Sequence, residues 1–480
     1  MLIQIFLCIF VPEFIMERRE FIKHMVATIT STSVFLSACK NYKKSQSQSE
    51  LGDKSSEMTT RVNPNSGDKV SLLGYGMMRM PIKMGLSTKN PQIDQETVNE
   101  LVDFALERGV NYFDTAPVYC QGLSEQSTGI ALSRHPRNSY YIATKMSNFW
   151  PELWSIEESK AMFERSLQHL KTEYIDYMLL HSVGRGGGGL SGLEVFNGRF
   201  MDNNLLDWLV EQKKNGRIRN LGFSYHGDID VFDMLLRWHD EGRYHWDFVQ
   251  IELNYLDWNY AHQINELNTD ASYLYAELEK RGIPTVVMEP LLGGALAKLP
   301  PDAVREMKKH DIEASPAQWA FRFAGTPKLV LTVLSGMQYI EHIQENCDTY
   351  SPLQPITAEE DAMLMRIAKE LYEIQDIPCT GCNYCMPCPY GINIPAIFSY
   401  YNRCLAEDNV PCIDGRSADL NFRFARKRWL VGYDRKIPRM RQADHCIGCN
   451  RCVSQCPQHI DIPHEMEKIN AYVEQLKQSQ

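Results

Sequence analysis

Between residues 71 and 336 short apolar runs alternate with longer stretches whose apolar residues recur every three to four positions. The short runs fall at 71–78, 110–114, 140–145, 174–181, 218–224, 248–254, 283–290 and 329–336. Runs of this length and composition predict strands buried on both faces. The stretches between them, such as 97–108, 156–170, 205–215 and 272–280, carry a single apolar stripe and predict amphipathic helices. Gly109, Gly216 and Gly282 stand just past the last turn of three of these, where a left-handed residue usually ends the helix.

Eight strand–helix units of this size predict an α/β fold, a TIM (β/α)8 barrel spanning 69–355. A doubly wound sheet is the structural alternative, but eight near-regular units favour closure. Asp114, Lys145, His181, Ser224, Asn254, Glu289 and Ser335 each fall at or near the C-terminal end of a predicted strand. That is the barrel face on which active sites are built. One polar residue at a strand end is usually a cap or a turn, whereas seven on one rim imply a site. Gly186–Gly189 lacks the Lys-Ser/Thr and the opening helix of a phosphate-binding loop and predicts a flexible connection.

Beyond the barrel, 357–374 has helix-start chemistry and a helical apolar period, which predicts a linker helix within 356–378. Stretches 397–404 and 418–431 predict further helices in a C-terminal domain, 379–480, that is mostly helical. At the other end, residues 1–39 read as a targeting segment. Arg18-Arg19 before Phe21-Ile22-Lys23 is a twin-arginine pattern, and a mild apolar stretch follows at 25–38. That stretch is too short and too weakly apolar to span a bilayer. It ends Leu36-Ser37-Ala38-Cys39, which resembles a bacterial lipobox and implies a lipid anchor on Cys39. The expected location is the periplasmic side, after twin-arginine export, with a cytoplasmic location as the alternative. Met1 or Met16 is the start, and residues 40–68 predict a polar, flexible tether.

Composition adds little: 44% hydrophobic and 23% charged residues describe an ordinary globular chain. A formal net charge of −10 with no long basic stripe argues against a nucleic-acid partner.

The cysteines change the picture. Eight of the 14 fall in two runs, each closed by a proline: Cys379, Cys382, Cys385 and Cys388 before Pro389, and Cys446, Cys449, Cys452 and Cys456 before Pro457. Structural zinc sites usually pair CxxC units across a longer loop, and do not place three cysteines in a row two residues apart. The second run resembles the bacterial ferredoxin spacing for a [4Fe–4S] cluster, and the first is one residue shorter before its last cysteine. In two-cluster ferredoxins the cysteine before proline serves the other cluster. The resemblance therefore implies one cluster on Cys379, Cys382, Cys385 and Cys456, and another on Cys446, Cys449, Cys452 and Cys388.

The run Asn111-Tyr112-Phe113-Asp114-Thr115-Ala116-Pro117-Val118-Tyr119 resembles the aldo/keto reductase family, as do Thr144-Lys145 and Leu180-His181. The resemblance covers most of 70–350, and the fusion to cluster cysteines resembles the ferredoxin-bearing branch of that family. It implies a catalytic tetrad of Asp114, Tyr119, Lys145 and His181. Hydride addition to a carbonyl builds negative charge on oxygen, which must be protonated as it forms. A phenol with a pKa of about 10 donates that proton poorly, and a nearby ammonium lowers its pKa. Lys145 is expected to do so for Tyr119, with Asp114 neutralising Lys145 and His181 orienting the carbonyl oxygen.

The resemblance also implies a nicotinamide site. Ser224 and Gln250 match carboxamide-binding positions, Ser335-Gly336 and Glu345-Asn346 the phosphate and adenine end, and Asn254 and Glu289 complete the cofactor-facing set. Two departures stand out. Met288-Glu289, not an aromatic, precede Pro290-Leu291, and Met337-Gln338-Tyr339 lacks the basic residue that would grip a 2′-phosphate. The expected cofactors are thus two [4Fe–4S] clusters and NADP or NAD.

The leading reading is an oxidoreductase that interconverts a small carbonyl compound and an alcohol. Its electrons would pass through the clusters to a redox partner protein or membrane carrier. The alternative is an iron–sulfur electron-transfer protein whose barrel is a non-catalytic binding module. Hydride moves two electrons and each cluster one, so a flavin or a partner subunit is a further expected component.

Overall fold

A short antiparallel hairpin, β1 (Thr60–Val62) and β2 (Lys69–Ser71), precedes eight parallel strands. These are β3 (Leu73–Gly76), β4 (Tyr112–Asp114), β5 (Tyr141–Met146), β6 (Ile175–Val183), β7 (Ile218–Tyr225), β8 (Phe248–Glu252), β9 (Thr285–Met288) and β10 (Val330–Ser335). They pair in chain order, and β10 pairs β3 to close the barrel. The computed structural model describes residues 57–479 apart from 84–91, 266, 375–376, 408 and 414–419. The expected targeting segment, with Arg18, Arg19 and Cys39, lies outside the described residues, as does most of the expected tether.

All eight apolar runs coincide with a barrel strand to within a few residues, so the α/β barrel expected from their spacing is the observed fold. Its interior is packed rather than open: Tyr112, Ala143, Tyr177, Leu179, Phe248, Val286 and Leu331 fill it. The rings of Tyr112 and Phe248 each meet Tyr177 edge-on at 5.0 Å, a favoured aromatic geometry.

One boundary differs from the sequence reading. The tether was expected to run to residue 68, yet β1 is already paired with β2, and Asn63 is fully buried. The hairpin plugs the barrel floor through polar groups. Asp68 accepts from Tyr177 Oη at 2.8 Å and Asn220 Nδ2 at 3.1 Å. Arg61 donates to the carbonyls of Gly325, Pro327 and Val330. These partners lie more than a hundred residues away, so no local apolar signal marks the hairpin.

After the barrel, the helix Ala358–Ile374 lies along its flank. Met363, Leu364, Ile367 and Ala368 are buried in the barrel's outer core, and Tyr372 stacks on Tyr260 at 5.0 Å. The C-terminal domain packs three helices, Ile394–Ala406, Leu420–Lys436 and Ile462–Gln478, about Phe398, Tyr400, Trp429, Tyr433, Ile469 and Val473. Ser56–Gln480 forms one unit, and the linker helix carries the chain from the barrel's flank to its C-terminal mouth.

Candidate active site

The barrel register brings the four expected tetrad residues together at the C-terminal mouth. Asp114 ends β4, Lys145 lies near the end of β5 and His181 on β6, while Tyr119 follows β4 in a turn. Lys145 Nζ donates to Asp114 Oδ1 at 2.5 Å and to the Thr115 carbonyl at 2.9 Å. The ammonium also lies 4.7 Å from the Tyr119 ring centroid. The Tyr119 and His181 rings meet edge-on at 5.8 Å. Between Leu180 and Val183 the register of β6 shifts against β7, and Ser182 is left-handed with φ 56°. A bulge of this kind re-aims the side chains beside it. His181 Nδ1 is held by Ser147 Oγ at 2.6 Å, which leaves Nε2 for a ligand.

Burial governs the electrostatics. It shifts Asp114 up and Lys145 down, both toward their neutral forms, and their mutual contact opposes those shifts. Burial, reinforced by Lys145 and Arg199, holds His181 well below the ordinary imidazole range. Tyr119 is the surprise. Burial, then Tyr384 and Asp114, push its phenol well above the ordinary range. The net shift is therefore upward, against the direction expected from Lys145, whose ammonium donates to Asp114 and Thr115 and sits against the ring.

Sequence reasoning missed Arg199, which lies fully inside the protein. Its guanidinium donates to the carbonyls of His181 at 2.7 Å and Met146 at 3.2 Å, and to Asn148 Oδ1 at 3.2 Å. Arg199 thereby fixes the ends of the two strands that carry Lys145 and His181.

Beside the tetrad, Ser224 on β7 and Gln250 on β8 are register partners. Ser224 Oγ accepts from the Ser182 amide at 2.8 Å, and Gln250 Oε1 is buried without a hydrogen-bond partner. An orphaned acceptor costs free energy unless a ligand donor meets it, so this pair fits a carboxamide. Ser335 and Asn346 are joined at 3.1 Å, whereas the Glu345 carboxylate accepts from Ser315. Arg79, which the sequence reading did not single out, passes Gly336 with its Cβ and donates from its guanidinium to the Gly293 carbonyl at 3.3 Å. Asn254 is engaged in its own turn: its Nδ2 donates to Asp257 and the Glu289 carbonyl, and its Oδ1 accepts two backbone amides. Glu289 accepts from the Gly293 amide at 2.5 Å and lies near Cys382 and Tyr384.

The cysteines sort crosswise. Cys379, Cys382, Cys385 and Cys456 line one small cavity, walled by Ile394, Phe398, Ile460 and Ile462. Cys452 has Cys446, Cys388 and Cys449 as its electrostatic neighbours, and Cys385 also senses Cys452, so the two groups adjoin. Among the described residues no three Cys, His, Asp or Glu side chains converge on a single-ion position. Four thiols lining one small cavity are a donor set that fits an iron–sulfur cluster. Burial pushes the Cys379 and Cys382 thiols up, to about 12 and about 11, so ionisation requires a bound cation to receive them.

The first cysteine group sits over the barrel mouth. Tyr384, between Cys382 and Cys385, donates to Met78 Sδ at 3.4 Å, and its phenol is an electrostatic neighbour of Tyr119. Arg185 donates to the Ser454 carbonyl and lies near Cys456, Tyr384 and Cys382. Gln458, two residues after Cys456, donates to Glu252 at 3.1 Å and accepts from Asn265 and Asn268. His226 reaches the same Glu252 carboxylate at 3.3 Å. The fit is tightest at Gly293, with φ 65°, where a Cβ would lie 1.6 Å from the Thr380 carbonyl oxygen. Gly293→Ala is accordingly expected to destabilise the folded protein by more than about 2 kcal/mol. An anaerobic thermal melt checks this; an unchanged midpoint would show that the junction is loose.

The Aldo/keto reductase family profile matches residues 72–368, and the 4Fe-4S dicluster domain profile matches residues 378–460. The chain is 23% identical over 319 residues to L-galactose dehydrogenase of Arabidopsis thaliana, covering 63% of this chain and 91% of that protein. It is 32% identical over 161 residues to 9,11-endoperoxide prostaglandin H2 reductase of Trypanosoma cruzi, covering 33% of this chain and 50% of the relative. Among solved structures, the holo form of an aldo-keto reductase from Bacillus halodurans superposes with a TM-score of 0.51 at 24% identity, over 65% of this chain and 96% of that one. An aldo-keto reductase from Klebsiella pneumoniae in complex with NADPH gives 0.50 at 20% identity, over 65% and 95%. The chain is a member of the aldo/keto reductase family, an oxidoreductase whose barrel is continued by a 4Fe-4S dicluster domain.

Proposed function

We propose that the protein interconverts a small carbonyl compound and its alcohol at the tetrad, using NADP or NAD, and exchanges the electrons with a partner through two [4Fe–4S] clusters. When bound, the nicotinamide handles hydride and the cubanes handle single electrons. The chain's own residues handle the proton. Tyr119, kept neutral by burial, holds a proton at Oη and would give it to a carbonyl oxygen as charge develops there. His181 Nε2 would orient that oxygen, and Ser147 fixes the ring. In the reverse direction Tyr119 would take the alcohol proton. The likeness to a protein named as a dehydrogenase over 91% of its length supports giving alcohol oxidation equal weight.

One observation carries the electron-exchange part: Tyr384 is flanked by two cysteines of the mouth-facing group and reaches the tetrad phenol. It connects the expected cluster with the expected site of chemistry. The same placement favours a second reading, because Tyr384 lies beside the Tyr119 phenol that a substrate oxygen would have to reach. On that reading the barrel is a binding module and the clusters serve another donor.

Anaerobically purified protein separates the two readings. Adding NADH or NADPH, with and without candidate alcohols, is expected to bleach the visible absorption of the clusters. Tyr384→Phe should slow the bleaching while leaving iron content unchanged. Clusters reduced by dithionite yet untouched by every nucleotide and alcohol would support the binding-module reading.

A further inference from the structure

Charge on this chain is less even than its net value of −10 suggests. Between Leu420 and Cys452 stand nine Lys or Arg residues against two Asp. This basic stretch is tied to the outer cysteine group, the one without a described contact to the barrel mouth. The end of the helix Leu420–Lys436 is held to the segment before Cys446: Gln442 Nε2 donates to Asp434 Oδ1 at 2.9 Å, and the Ala443 amide donates to Tyr433 Oη at 3.3 Å. Arg441 in turn contacts Gly391, whose amide bonds the Cys388 carbonyl at 3.0 Å. Helix end, arginine turn and the Cys388 and Cys446 segments thus form one continuous surface.

That surface is open. Lys427, Arg435, Lys436 and Arg451 are exposed, and so is Cys449. Large apolar side chains lie among them: Met440 is 74% exposed and Ile447, next to Cys446, 64%. Apolar contacts beside a redox centre within a rim of one sign of charge are what a short-lived electron-transfer complex uses. Such interfaces are small, and charge steers the encounter.

We propose that the surface formed by the end of the helix Leu420–Lys436, the Arg439–Arg441 turn and the Cys446–Cys452 loop docks an acidic one-electron carrier protein. This rests on the reading that the outer cysteines hold a redox-active cluster. The partner is a protein with carboxylates around its own redox centre, meeting Lys427, Arg435, Lys436 and Arg451. An anionic membrane is the less fitting occupant. On the helix Leu420–Lys436 the exposed Leu420, Phe424 and Val431 share one stripe, but Lys427 interrupts it and Arg423 and Arg428 flank it, which leaves a narrow, charged face for entering a bilayer.

The test uses the full-length protein with its clusters, reduced by dithionite so that no electron has to come from the barrel. Reoxidation is timed against three acceptors: plant plastocyanin, an acidic blue-copper protein; cytochrome c, a basic haem protein; and a small neutral quinone. The parent should react faster with plastocyanin than with cytochrome c, and the plastocyanin rate should fall as salt is raised. The triple variant Lys427→Glu, Arg435→Glu, Lys436→Glu should lose roughly tenfold or more toward plastocyanin, gain toward cytochrome c and stay unchanged toward the quinone. The neutral variant Lys427→Gln, Arg435→Gln, Lys436→Gln should fall between. Iron content equal to the parent's certifies that the variants fold.

Equal rates with both proteins, or a plastocyanin rate indifferent to salt and substitution, would overturn the proposal. So would loss, in the variants, of binding to phosphatidylglycerol vesicles with plastocyanin rates unchanged, which would assign the surface to a membrane. Protein without iron would instead defeat the cluster reading itself, and iron analysis detects that separately.

Discussion

Tyr119→Phe is expected to lower turnover about 10²–10⁴-fold, the usual loss when one general acid or base is removed. Nucleotide binding should survive, because the orphaned Gln250 Oε1 and Ser224 lie on other strands, β8 and β7. The assay is steady-state reduction of a panel of small aldehydes, together with nucleotide fluorescence titration. Turnover at the parent rate would remove Tyr119 from the chemistry. A pH profile adds a second check. Burial keeps Tyr119 protonated above the ordinary phenol range and His181 neutral below the ordinary imidazole range. Neither group changes charge from about pH 6.5 to about pH 10, so kcat should be flat across that window. A limb centred near neutrality would mean that Lys145 activates the phenol after all, through a rearrangement on ligand binding.

The second large effect belongs to the cysteines. Cys456→Ser should remove the cluster over the barrel mouth and leave the outer one, halving iron from about eight to about four atoms per chain. Because Cys456 is buried, lines the mouth-facing cavity and adjoins the Gln458 contacts, this variant should also loosen the junction with the barrel. Cys449→Ser should remove the other cluster with little effect on the junction, since Cys449 is exposed. In the Cys456 variant, dithionite should still reduce the remaining iron, while nucleotide or alcohol should not. If Cys456→Ser instead abolished the same spectroscopic species as Cys446→Ser, the crosswise pairing would be wrong.

The eight strands were legible because each is a mostly buried, largely apolar run, and burial on both faces leaves its mark locally in sequence. Barrel geometry sends strand ends to one rim, so Asp114, Lys145 and His181 could be placed there by counting along strands, and the family resemblance singled them out with Tyr119 as a tetrad. The cluster cysteines were legible from their spacing, since three successive ligands must lie close in sequence to wrap one centre. The floor hairpin was not, because Arg61 and Asp68 act through partners in other parts of the chain.

What only the tertiary structure decided is how the two halves meet. Tyr384 has no local signal that it reaches Tyr119; its role appears only when the linker helix Ala358–Ile374 folds along the barrel and delivers Cys379 and its neighbours to the mouth. The state of the tetrad phenol followed the same way. Residue types alone favour a phenol activated by Lys145, whereas enclosure removes the water that would stabilise a phenolate, and Asp114 claims the ammonium. The sequence by itself determined a closed barrel, a set of candidate groups on its rim and two cysteine runs. Their coupling through Tyr384, Arg185 and Gln458 was decided by packing, because contacts between distant segments depend on where the chain is carried and not on any local pattern.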